Sequence, residues 1–165
     1  MNQRKRILIA VVILVGIVGI VLGVEYFLRR GAASQAPANM PAGAIPIFLD
    51  GKFVASFVPA DLDRMERASF VDAEESKTQE GWLLRDVLLL YVSASDLTAD
   101  TQITVSSSSR EKSHTLTWAE VENPENIVMF DLSGRGTLKL VSRIPGFDIR
   151  DAWIQDVDRI KVVRP

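Results

Sequence analysis

Cysteine is absent from this chain, and that one absence removes disulfides, thiolate metal ligands, thiol nucleophiles and a lipidated N-terminal cysteine together. Histidine is nearly absent: His114 stands alone, so a His-containing metal site would have to find all its other ligands among carboxylates. No Gly-x-Ser-x-Gly elbow occurs, and a Ser-His-acid triad has only His114 to draw on. These gaps argue against a hydrolase. In the segment FDIRDAWIQDVDR, Asp148, Asp151, Asp156 and Asp158 crowd together without Ca²⁺-loop spacing. With Arg150 and Arg159 interleaved, it reads as a solvated loop with local ion pairs, as does the acidic run from Asp72 to Glu75.

Charge is what the N-terminus lacks. From Ile7 to Val24 there is only Ile, Leu, Val, Ala and Gly, 18 residues in all, which is near the minimum for a bilayer-spanning helix. A secretory signal peptide competes, with Arg4, Lys5 and Arg6 as its basic region and Ala36-Pro37-Ala38 as a cleavage site. The apolar run exceeds the usual signal core, and it ends in Tyr26, Phe27, Arg29 and Arg30, which suits an interface anchor. The expected organisation is a cytoplasmic basic tip over 1–6, a transmembrane anchor over 7–28 and a flexible linker over 29–44. An α+β domain over 45–165 follows, outside the cytoplasm because the basic charge is heavier at the N-terminal end. The expected location is thus the cell membrane, crossed once.

The 45–165 region carries 14 Lys and Arg against 20 Asp and Glu, a net charge of −6, which argues against a nucleic-acid partner. Its pattern is strand-rich. Ile45–Leu49 and Phe53–Val58 form a hairpin around Asp50-Gly51, whose residues accept the positive φ of a type I′ turn. Residues 60–68 read as a short helix, 71–80 as a polar loop, and Trp82 to Val92 as an amphipathic helix with Leu83, Leu84, Val87, Leu88 and Tyr91 on one stripe. Strands are expected at 102–106, 113–118, 127–132, 137–141 and 159–163. Thr117 and Glu120 have the spacing of a capping box.

Ser106-Ser-Ser-Ser-Arg110 and Ser133-Gly-Arg-Gly136 each invite a phosphate cradle and are each better read as hairpin tips. Trp82, Trp118 and Trp153 are offered by their apolar neighbours to the core rather than to a flat ligand. The candidates for meeting a ligand or partner are Arg135, expected to be free at its tip, with Arg110, His114 and Arg143; no catalytic or metal residue is assigned.

The succession GWLLRDVL, ITVSS, TLTWAEV, VMFDLSGRGTLKLVS and DAWIQDVDRIKV resembles the oxidoreductase molybdopterin-binding domain of the sulfite-oxidase-like family. The likeness rests on Gly81, Leu84, Asp86, Val87 and Leu88 in the helix, Gly134 and Gly136 in the turn, and Leu138 to Val141 in the following strand. Trp153, Ile154, Ile160 and Val162 match at the end. It covers about half the chain and implies a reduced relative of that fold. Catalytic members hold molybdenum through a cysteine, which this chain lacks, and spend more residues on the pterin. The resemblance therefore implies a non-catalytic accessory subunit of a membrane protein complex, or a receptor for a small anionic ligand, with no cofactor. Its alternative is an oxidoreductase subunit holding a molybdenum–pterin without a cysteine ligand.

Overall fold

Asp50 and Gly51 take φ values of 49° and 78°, and around them β1 (Ile45–Leu49) and β2 (Lys52–Phe57) pair antiparallel as a tight hairpin. This computed structural model describes Pro37 and residues 39–165; the basic tip, the anchor over 7–28 and most of the linker lie outside the described residues. β1 is also paired, in parallel, with the last strand, β9 (Arg159–Val163). β9 then meets β5 (Gln102–Ser107), which pairs with β6 (Lys112–Thr117). The resulting sheet has the order β2-β1-β9-β5-β6, so the two hairpins at its flanks are joined only through the C-terminal strand.

A second, antiparallel sheet has the order β3-β4-β7-β8, built from Ala68–Val71, Thr78–Leu83, Met129–Leu132 and Leu138–Val141. One core draws on both sheets: Ile103, Val105, Ile160 and Val162 from the first, Trp82, Phe130, Leu138 and Leu140 from the second. Alternation along β5 and β9 aims every second residue at it. A smaller cluster of Phe70, Met129, Val141 and Trp153 covers the other face of the second sheet. All three tryptophans are buried, as their neighbours lead one to expect. The fold is thus mixed α+β and strand-rich, in two sheets.

Three local expectations are corrected. Residues 60–68 do not form one helix: a 3₁₀ helix spans Pro59–Arg64, and Ala68 already opens β3. The polar stretch 71–80 is no free loop but the hairpin between β3 and β4. Asp72 is buried there, accepting from the Glu75 backbone N–H at 2.6 Å and from Gln79 Nε2 at 2.7 Å.

The helix expected from Trp82 is α1, only Leu84–Leu89, because Trp82 and Leu83 are still strand, paired with Phe130 and Met129. Leu84 donates its N–H to the Val128 carbonyl at 2.9 Å, so sheet pairing runs to the first helical residue. The stripe survives within that turn. Leu84, Val87 and Leu88 are fully buried, each contributing about 1.5–3 kcal/mol. The capping box is present at α2 (Trp118–Glu122), where the Glu120 N–H donates to Thr117 Oγ1 and the Thr117 N–H to Glu120 Oε2.

Candidate functional site

The β5–β6 hairpin turns over Ser108 to Glu111, where Glu111 takes φ 50° and its N–H donates to the Ser108 carbonyl. The β7–β8 hairpin turns over Ser133-Gly-Arg-Gly136. Its Ser133 N–H donates to Thr137 O at 2.8 Å, the Gly136 N–H donates to Ser133 O at 2.9 Å, and Gly136 takes φ 77°. The two tips belong to different sheets. What brings them together is the connection from β8 to β9, which bends at Asp156 (φ 55°). Val157 N–H then donates to Leu138 O of β8, and Asp158 N–H to Ser106 O of β5. Stitched to both sheets, this segment sets Asp156 between the tips.

Asp156 is the hub of the site. Thr137 Oγ1 donates to its Oδ1 at 2.8 Å, Arg110 Nε to its Oδ2 at 2.8 Å, and Arg135 Nη2 to both oxygens at 3.1 Å. Its side chain is only 18% exposed, against 60% for that of Arg135. The Thr137 hydroxyl first, then the Arg110 guanidinium with the charge of Arg135, hold its carboxyl below the usual range despite burial. A general base needs a pKa near the working pH, and Asp156 is pulled the other way. What the group offers is fixed charge and directed donors.

Two hollows adjoin it. A cleft of about 450 Å³ is bounded by residues 42–45, Pro59, Ser109, Thr137, Asp156 and Asp158. The linker's end thus forms one wall. A smaller pocket of about 220 Å³ is bounded by Arg110, Lys112, Arg150, Asp151, Trp153 and Gln155. Arg110 belongs to both neighbourhoods, lining the pocket while bonded to the Asp156 that lines the cleft.

Of the residues singled out from sequence, Arg110 and Arg135 are brought together. Arg135 is not free at its tip as expected, because Asp156 engages it. His114 lies elsewhere, half-buried and stacked on Phe147 with ring centroids 3.9 Å apart and planes within 3°. Burial pushes its imidazole down, Glu120 pulls it up less, and Lys112 adds a smaller push down. Arg143 is exposed on another flank, beside Phe70, Val71, Ala73 and Asp148. Among the described residues no group of three or more His, Cys, Asp and Glu is placed to hold a metal.

The acidic stretch 148–158 is also corrected. Its pairs are long-range rather than local: Asp156 with Arg110 across 46 residues, and Arg150 with Glu75 across 75. Sequence reasoning missed Asp156, Thr137, Lys112 and Arg150 as members of one surface. Nothing in the spacing signals contacts that long. Comparison with protein-family models, curated proteins and solved structures gives no match.

Proposed function

We propose that the chain is a membrane-anchored, extracytoplasmic binding domain, an accessory rather than a catalytic part, whose ligand-facing end is built on Arg110 and Arg135. The observation that carries this reading is their convergence, from the tips of two different sheets, on Asp156 at the edge of a cleft. The knot holds two guanidiniums to one carboxylate, in a region whose overall charge is −6. Rigid hairpin tips held by backbone hydrogen bonds keep that charge oriented before any ligand arrives, which lowers the ordering cost of binding. A reduced molybdopterin-binding-like fold remains part of the proposal on the residues from Gly81 to Val163.

A molybdenum–pterin group does not suit the donor set. The chain offers no thiolate, and the imidazole of His114 is stacked against Phe147. Metal and pterin analysis of the protein purified from its own membrane separates the two readings. The proposal expects no stoichiometric molybdenum or pterin; one equivalent of either overturns it in favour of an oxidoreductase subunit.

A further inference from the structure

Four strands border the two sheets, and three of them are protected. β8 is bridged on its outer side by Ile154, which exchanges two hydrogen bonds with Leu140. β2 has an irregularity in its pairing with β1 and starts at Lys52, while β6 starts at Lys112 and stacks His114 on Phe147. Bulges, charges and covering segments are the ordinary means of blunting an edge. β3, Ala68-Ser-Phe-Val71, has none of them: its four residues include no charge and no proline, its register is regular, and among the described residues nothing pairs with its outer side. The Asp72 N–H donates to Lys77 O, so Asp72, Phe70 and Ala68 address β4, and the alternation turns the N–H and carbonyl groups of Ser69 and Val71 to the free side. Those four groups have no hydrogen-bond partner among the described residues, and both side chains are exposed, Val71 at 61%. Water satisfies such groups singly; what distinguishes this edge is the surface beside it.

Two hollows of about 190 Å³ each adjoin β3. Ala68 and Phe70 share the outer face of the second sheet with Met129, Val141 and Trp153. One hollow opens beside Ala68, walled by Leu83, Val121, Pro124 and Ile127; the other opens beside Phe70 and Val71, with Arg143 and Asp148 at its rim. Ile127 forms its part of the wall at φ 41°, a costly conformation for a β-branched residue and one that clusters at ligand clamps. Residues of an added strand opposite Ala68 and Phe70 would project onto this same face, two positions apart, one toward each hollow. An apolar cavity of roughly 150 Å³ holds benzene, so the hollow at Ala68 has room for one large apolar side chain.

This chain does not supply that side chain. Residues 31–39 of the linker contain no large apolar residue. In a two-fold pairing of β3 with a second copy, the registers that match outward groups set Phe70, Asp72 or Glu74 of the copy opposite Ala68. Phe70 and Asp72 are already buried in their own sheet, and Glu74 is charged and accepts the Arg150 N–H. A four-residue edge is also short for the roughly 1,200 Å² at which stable interfaces between folded proteins begin. We infer that the β3 edge is a docking site for an extended peptide segment of another protein, which adds to the second sheet as a fifth strand and buries one large apolar side chain beside Ala68. Main-chain bonds to Ser69 and Val71 hold the segment, and the hollow selects it. Since the sheet is antiparallel throughout, the segment runs antiparallel to β3, so the residue facing Arg143 and Asp148 is polar and comes two positions before the apolar one.

Selection of phage-displayed random eight-residue peptides on the full-length chain in neutral detergent tests this. Enriched sequences should lack proline and share a large apolar residue with a polar one two positions before it. The best of them, synthesised with a fluorophore, is then titrated by anisotropy. Val71→Pro deletes one outward N–H without touching the β3–β4 ladder, and should weaken binding at least tenfold at a melting temperature near the parent's. Ala68→Leu partly fills the hollow and should weaken it as much. N-methylation of the peptide should weaken binding at least tenfold at the residues opposite Ser69 and Val71 and leave it within threefold at the residue between them; this alternation decides the matter even if Val71→Pro fails to fold. Absence of an enriched pattern, binding indifferent to Ala68→Leu, or N-methylation without alternation overturns the inference. A dimer of the parent chain in native mass spectrometry that Val71→Pro abolishes overturns it in favour of a second copy. None of these outcomes bears on Arg110, Arg135 and the cleft, whose reading fails or stands by its own measurement.

Discussion

Arg135 Nη2 lies 3.1 Å from both carboxylate oxygens of Asp156, yet the two side chains stand in different surroundings, 60% and 18% exposed. The burden of the contact is therefore unequal. Removing Arg135 leaves Asp156 held by Arg110 and Thr137, so Arg135→Ala should cost no more than about 0.5 kcal/mol. Asp156→Ala leaves both guanidiniums to solvent and the Thr137 hydroxyl with Ser133 Oγ, but it removes four hydrogen bonds that join the two tips, and should cost more, about 1.5 kcal/mol. Urea denaturation of the full-length chain in detergent reads both; equal costs would contradict the hub.

Glycine positions rank by physical cause. At Gly81 an added Cβ would fall 1.8 Å from the Phe130 carbonyl oxygen, so Gly81→Ala must part β4 from β7 and should cost about 3 kcal/mol or prevent folding. Gly136 has open space but φ 77°, so Gly136→Val should cost more than about 1 kcal/mol through backbone strain alone. Gly134 has neither constraint, and Gly134→Ala should melt within about 2 °C of the parent. Thermal melts that fail to rank the three in this order would contradict the paired register of β4 and the turn geometry.

Acid should loosen the domain in two stages. The carboxyls of Asp156, Asp50, Asp72 and Glu75 are all held below their ordinary values: Asp156 by Thr137 and Arg110, Asp50 by the Arg164 backbone and side chain, Asp72 by the Glu75 backbone N–H, and Glu75 by Lys77 and Arg150. A carboxyl with a lowered folded value contributes fully above its unfolded value, about 3.8 for Asp and 4.5 for Glu, and the contribution is lost as pH falls through the folded value. His114 is lowered too, so the unfolded chain takes up its proton first, and a smaller loss begins as pH drops below about 6.5. Melting temperature should slip slightly from pH 7 to 5 and fall steeply below pH 4. His114→Gln should remove the first step and Asp156→Asn should shrink the second.

The membrane proposal has its own test, on residues outside those the structure describes. The mature protein should keep Met1 or Asn2, and its body should be cut by protease added to intact spheroplasts. An N-terminus near Asn39 would show a cleaved signal instead.

How far the sequence reached depended on the range of each contact. Asp50-Gly51 announces its hairpin because the turn's demand for positive φ is met by adjacent residues. The five later strands and the Thr117 cap were legible for the same local reason. The β3–β4 hairpin was not, because Asp72 and Gln79 bury polar groups against each other and against Lys139, which erases the apolar alternation of a strand. Leu83 and Leu84 look alike in sequence, yet the sheet pairing of Trp82 with Phe130 holds the first as strand and leaves the second to start α1. At the site, Arg110 and Arg135 stood out as arginines at turn tips. Their partner Asp156 was hidden, since only the fold brings it across 46 and 21 residues to meet them.

Native mass spectrometry of the full-length protein, extracted from its own membrane in mild detergent, tests the binding reading most directly when parent and Arg135→Ala are run side by side. Asp156 keeps Arg110 in that variant, so both should melt alike. The account predicts that the parent carries additional bound mass, an anionic small molecule or a partner subunit, and that the bound fraction falls in Arg135→Ala. A bare parent chain, or the same bound fraction in both proteins, would contradict it.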